Sequence, residues 1–143
     1  MEGAIQSLDV SYFVHATEDA GKVRSVVAAL VGSDAPFESE ELAGHFGNVI
    51  TRNDLRLHGD EAARCFQHLM GRLPTDLREE LARDIDRYVD EHSSLYLRLD
   101  KQRLVQGHVA MGSVDVVRLK VKPRAFVMKG HARDFFTGAL EGK

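Results

Sequence analysis

Three groups of residues have types and spacings that could do chemistry. Cys65 and His68 stand three apart in "EAARCFQHLMGRLP", a thiol and an imidazole about one helical turn from each other. Such a pair becomes a nucleophile if its surroundings lower the thiol pKa. Asp86, Asp90 and His92 fall within "RDIDRYVDEH" and offer oxygen and nitrogen atoms to a metal. The third group is cationic. "DVVRLKVKPR" sets Arg118, Lys120 and Lys122 on alternate positions, with Arg124 beyond, and "SLYLRLDKQ" adds Tyr96 and Arg98.

The first two groups have plainer readings. Cys65 lies on an apolar stripe with Ala62, Phe66, Leu69 and Met70, and a buried cysteine behaves as a small hydrophobe. Asp86 and Asp90 are interleaved with Arg83 and Arg87, the pattern of a solvated helix face laced with ion pairs. The chain has no His-x-x-x-His pair, Gly-rich phosphate loop, dinucleotide fingerprint or Gly-x-Ser-x-Gly elbow. We therefore expect no catalytic residues, no metal and no cofactor, and a protein that is not an enzyme.

The cationic group leaves three readings open. Lysines can blunt a sheet edge against pairing. They can form an ordinary solvated face. They can also line a track for a polyanion, where neutralised phosphates release counterions and give affinity without sequence preference. The net charge of −3 hides an uneven distribution. Residues 1–91 carry 18 Asp and Glu against 9 Lys and Arg, whereas residues 92–143 carry 4 against 10. An asymmetry of this kind points to an anionic partner for the basic part, or to attraction between the halves of one fold.

At 143 residues the chain fits one domain, residues 1–143, large enough to bury a core without covalent staples. Its single cysteine excludes an intrachain disulfide framework. Apolar runs such as "VRSVVAALVG" are too short to span a bilayer, and "MEGAIQSLDV" has neither the basic flank nor the apolar stretch of a signal peptide. A cytoplasmic protein without membrane contact is expected.

The elements that must position these side chains are legible from periodicity. "LDVSYFVHA" alternates as a first strand. Thr17 is the expected N-cap of a helix carrying Val23, Val26, Val27, Leu30 and Val31, which Gly32 ends. Residues 32–48 read as an irregular connection with a helical turn at Ser39 to Ala43. "VITRNDLRLH" is extended, with a bulge or turn at Asn53–Asp54. Asp60 is expected to cap the helix bearing Cys65, and Thr75 to cap one running on to His92. Residues 94–99 and 114–122 alternate as strands, and Asp100 caps a short helical turn between them. Phe126 and Val127 are expected to be extended, ahead of a terminal helix with Phe135, Phe136 and Leu140. The fold class that follows is α+β: two layers, a mostly antiparallel sheet with helices on one face.

"SLYLRLDKQ", a loop and then "DVVRLKVKPRAF" resemble the archaeal predicted RNA-binding family proposed as an exosome-associated subunit. "HFGN" before the second strand and "EAARCFQHLMGRLP" are similar to that family too. The resemblance runs from about Leu8 to about Leu140. It implies an archaeal origin and a fold like that of the large-subunit ribosomal protein that binds 5S RNA. It also implies RNA binding linked to RNA processing or degradation, with RNA and exosome subunits as partners. The candidate RNA contacts are Tyr96, Arg98, Lys101, Arg103, Arg118, Lys120, Lys122 and Arg124, chosen for their chemistry: cations for phosphate and an aromatic for an unpaired base. Asp100 is expected to cap rather than contact. His45, Phe46, Gly47 and Asn48 form a second candidate loop. The competing reading is a protein-interaction or homodimerisation module using the same sheet face, with Val116 and Tyr96 on it.

Overall fold

The computed structural model describes residues 3–44, 47–124 and 131–142. His45 and Phe46 of the candidate loop lie outside them, as do Phe126, Val127 and Lys129.

The chain runs β1 (Ile5–His15), α1 (Ala20–Val31), β2 (Glu38–Ala43), β3 (Val49–His58), α2 (Gly59–Arg72), α3 (Thr75–Arg83), β4 (Leu95–Asp100), α4 (Lys101–Val105), β5 (Val116–Pro123) and α5 (Ala132–Leu140). The five strands form one sheet in the order β2-β3-β1-β5-β4, and every neighbouring pair is antiparallel. The α+β expectation holds.

Alternation explains which face is buried. Leu8, Val10 and Tyr12 of β1, Leu55 and Leu57 of β3, Leu95, Leu97 and Leu99 of β4, and Val117, Leu119 and Val121 of β5 all enter one core. The helices supply its other side. Val23, Val27 and Leu30 come from α1 and Cys65, Phe66 and Leu69 from α2, while Phe66 meets Phe135 and Phe136 of α5 at centroid distances of 6.2 and 5.9 Å. Each fully buried side chain of this size contributes about 1.5–3 kcal/mol relative to exposure. The opposite sheet face carries no helix among the described residues.

Several boundaries differ from the sequence reading. Asp19, not Thr17, caps α1, accepting a hydrogen bond from the Lys22 N–H. Gly32 ends α1 as expected, in the left-handed region at φ 69°. His58 and Pro74 occupy the N-cap positions of α2 and α3, without side-chain caps from Asp60 or Thr75. Residues 38–43 are strand β2, not a helical turn. Asn53 and Asp54 pair in continuous register with Tyr12 and Ser11, so no bulge forms there. Asn53 is buried and accepts a 2.6 Å hydrogen bond from the Ser39 hydroxyl. A register slip occurs instead in β1, between Ile5 and Ser7 opposite Pro123 and Lys122. It lies where a proline ends the ladder, as expected for a residue without an N–H.

The helix expected to reach His92 stops at Arg83, followed by a 3-10 turn at Ile85–Arg87. The next residues are drawn to the outer edge of β4. The Tyr96 N–H donates to the Tyr88 carbonyl at 2.7 Å, and Val89 bridges Leu95. The loop before β5 covers the rest of that edge: the Asp100 N–H donates to the Ala110 carbonyl and the Gly112 N–H to the Arg98 carbonyl. Gly112 is required by this approach, because a Cβ there would lie 2.8 Å from Asp100 Cα.

Candidate nucleic-acid interface

On β5, Arg118, Lys120 and Lys122 emerge on the uncovered face because Val117, Leu119 and Val121 are buried. The same parity on β4 exposes Tyr96 and Arg98. Register then assembles rows across strands. Arg98 and Ser11 flank Arg118, Tyr96 and Asp9 flank Lys120, and Ser7 lies beside Lys122. Tyr96 is 40% exposed, and Lys120 Nζ stands 5.6 Å from its ring centroid, a cation–π distance. The face is concave. A depression of about 870 Å³ collects residues from all five strands, including Arg98, Arg118, Lys120 and Tyr96.

The face is electrostatically divided. Toward β2, cations are matched: Arg52 pairs with Glu40 and Asp54 at 2.9 and 3.1 Å, and Arg56 with Asp9 at 3.0 Å. Toward β4, Arg98, Arg118, Lys120 and Lys122 make no ion pair with any described residue. Asp9 lies opposite both Arg56 and Lys120, but it commits its Oδ1 to Arg56.

Sheet order removes one reading of these cations. β5 lies between β1 and β4, so its lysines do not guard an edge. The open edge is β2, where Glu38, Glu40 and Glu41 are exposed and do that work.

Lys101 does not belong to the interface. Its side chain is fully buried, and a buried ammonium must be paired. Nζ donates to the Phe13 carbonyl at 2.6 Å and to Glu18 Oε1 at 2.7 Å, and lies 3.1 Å from Asp115 Oδ1. Gln102 Nε2 bridges the same two carboxylates at 2.9 and 3.2 Å. Asp100 caps α4 as expected, accepting from the Arg103 N–H. "LDKQ" is therefore a lock between the end of β1 and the start of β5. Burial pushes the Glu18 carboxyl up, but the hydrogen bonds from Lys101, the His15 N–H and Gln102, with the Lys101 charge, outweigh it. The result is a pKa below the ordinary value.

His15, Glu18 and Asp115 hold potential ligand atoms within 4.8 Å of one another. A metal there would meet the Lys101 ammonium already between the two carboxylates, so ion pairing accounts for the cluster. Arg103 is exposed on α4, which packs against α1, and lines no part of the sheet-face depression. Arg124 is exposed just beyond β5, with its N–H bonded to the Ala4 carbonyl. Val116 shares the face of Arg118 but is buried, lining a hollow there rather than standing out as a docking patch.

The side chains of the other two groups each have partners that account for them. Cys65 is buried, contacts the Gly32 carbonyl, and has its thiol pKa raised, chiefly by burial. His68 turns to the Ala29 carbonyl at 2.8 Å. Asp86 pairs with Arg133, while Asp90 accepts from the His92 and Ser94 N–H groups.

A family model described as RNA binding matches residues 7–123. The chain belongs to this RNA-binding family. It is 33% identical over 141 residues to RNA-binding protein PAB1135 of Pyrococcus abyssi, covering 92% of each chain. Among solved structures, it resembles the DUF54 protein Mth689 of Methanothermobacter thermautotrophicus with a TM-score of 0.74 and 27% identity, covering 96% of this chain and 98% of that one. The DUF54 protein SSO0741 of Sulfolobus solfataricus shares the fold with a TM-score of 0.78, at 20% identity, over 95% and 98% of the two chains. The family match spans β1 through β5 and so includes the whole cationic half of the sheet face. Among the described residues, no helix is long and apolar enough to cross a membrane.

Sequence reasoning missed Arg52 and Arg56, which also line the depression. Their exposure was visible in the alternation of β3, but their placement beside β1 was not.

Proposed function

We propose that this protein binds RNA through the β5–β4 half of its open sheet face, without catalysing a reaction on it, and serves archaeal RNA processing or degradation in company with the exosome. The observation that carries the reading is the row Arg118, Lys120 and Lys122 on an interior strand, without a carboxylate partner among the described residues and beside an exposed Tyr96. Interior placement leaves edge protection out, and an unmatched cation row beside an aromatic suits phosphates next to an unpaired base. The family membership and the name of the Pyrococcus abyssi relative support RNA as the ligand. The exosome link rests on the resemblance of "LYLRLDKQ" and the β5 segment to the exosome-associated family.

The excess acid of residues 1–91 works against long-range attraction of phosphate. Binding by the isolated protein is then modest and strengthened within an assembly, where effective concentration is high.

Fluorescence anisotropy with labelled RNA at low and high salt tests this reading. We expect salt-weakened binding that is lost in the triple variant Arg118→Ser, Lys120→Ser, Lys122→Ser. No binding at low salt, or affinity unchanged in that variant, overturns it. RNA is expected to stay intact during incubation; cleavage that copurifies with the protein overturns the non-catalytic part. Failure to cosediment with reconstituted exosome overturns the assembly part.

A further inference from the structure

A second cavity opens on the same sheet face, at the end where β5 begins. It measures about 420 Å³, within the roughly 300–1,000 Å³ range of small-ligand sites. Phe13 of β1, Leu42 of β2, Ile50 of β3 and Val114 of the loop before β5 give it apolar walls. Val114 is 91% exposed, and no described part of the chain covers it. Polar groups sit around these walls: His15, Asp115 and Arg118. Asp115 shares the Lys101 ammonium with Glu18 and also accepts from Gln102, and its carboxylate oxygens keep further lone pairs for a ligand's donor.

Arg118 lines both this cavity and the cationic depression, so the two adjoin at that side chain. Lys122 to Arg118 spans four residues of strand, ~13 Å, and ends at the cavity. An RNA backbone laid along that row delivers a nucleotide into the apolar walls. Its base is flat and apolar on its faces, with polar edges that suit the rim.

We infer that this cavity receives one unpaired base of an RNA whose phosphates follow Lys122, Lys120 and Arg118, so that the protein selects RNA with single-stranded ends or loops over continuous duplex. The inference rests on the RNA-binding reading above. A second copy of the chain is the weaker occupant. A stable interface takes about 800 Å² from each partner, whereas the apolar walls comprise a few side chains bordered by Arg118 and Asp115.

The test compares three labelled RNAs by anisotropy: a blunt duplex, the same duplex with a short overhang, and the overhang strand alone. Wild type is expected to bind the latter two about tenfold more tightly than the blunt duplex, the scale of one stacked base. The double variant Ile50→Thr, Val114→Ser is expected to lose that preference and keep its affinity for duplex. Val114→Ser alone, at an exposed loop position, is expected to reduce the preference without disturbing the fold. Equal affinity for all three RNAs, or a preference untouched by both variants, overturns the inference while RNA binding stands. No binding of any RNA removes the underlying reading as well. A dimer in light scattering that the double variant dissociates assigns the cavity to a second copy and overturns the inference.

Discussion

Lys101 Nζ donates to Glu18 Oε1 at 2.7 Å across 83 residues of chain. This contact, with Asp115 on the other side of the ammonium, ties the end of the first strand to the start of the last one. Replacing Lys101 with Met leaves Glu18 and Asp115 facing each other without a cation. Breaking a buried pair by removing one partner costs about 3–5 kcal/mol; the partial exposure of both acids places the expected loss near the lower end. Urea unfolding should show it as a lower midpoint. Affinity of the folded variant for blunt duplex RNA, which does not use the cavity bordered by Asp115, should match wild type, whereas a fall comparable to that of Arg118→Ser would return Lys101 to the interface.

The same contact gives a pH dependence. The folded-state pKa of Glu18 lies below its ordinary value of 4.5. A depressed carboxylate contributes stability that is present in full above its unfolded pKa and is lost as pH falls through the folded value. The stability difference between wild type and Glu18→Gln should therefore be constant near neutrality and shrink as pH drops below about 4.5. Denaturation midpoints of both proteins across that range provide the measurement; a constant difference would argue against the ion pair.

Salt dependence separates the cations of the sheet face from those elsewhere on the surface. Arg118→Ser should lower the slope of log affinity against log salt by about 0.7 for single-stranded RNA, the value for one phosphate contact. Arg103→Ser, on a helix away from the depression, should leave the slope unchanged. Equal effects from both would indicate a diffuse charge effect rather than a defined face.

Gly32→Ala tests the close packing of α1 against α2. At φ 69° its Cβ would stand 2.7 Å from the His68 ring. Left-handed backbone costs a non-glycine residue roughly 1–2 kcal/mol, and moving His68 also strains its bond to the Ala29 carbonyl. A lowered thermal unfolding midpoint is expected; a midpoint within error of wild type would show that His68 yields and that residue 32 relaxes out of the left-handed region.

Periodicity located the strands that have one buried and one exposed face. Leu95, Leu97 and Leu99 could be assigned to the core without coordinates, and so could Val117, Leu119 and Val121. "ESEELA" could not be read as β2, because its residues are exposed or half-buried. An edge strand pairs through its backbone and leaves no apolar alternation to detect. Ile85, Tyr88 and Val89 kept a helical spacing, yet the chain leaves the helix after Arg83; Tyr88 and Val89 instead find partners on β4. Lys101 has the sequence context of a surface cation because two of its partners, Phe13 and Glu18, lie far upstream in sequence. Alternation exposed Arg118, Lys120 and Lys122, but sheet order alone made them interior.

Strand β5 is hydrogen-bonded on both sides, and this fixes the pitch of its charges. Alternate side chains repeat at ~6.7 Å along a strand, and neighbouring strands stand ~4.8 Å apart. Arg98, Arg118, Lys120 and Lys122 thus form a ruler whose divisions are held before any ligand arrives. An RNA bound along this ruler would take up most of the conformational adjustment, so a flexible strand that fits it would be favoured over one that must be bent to it.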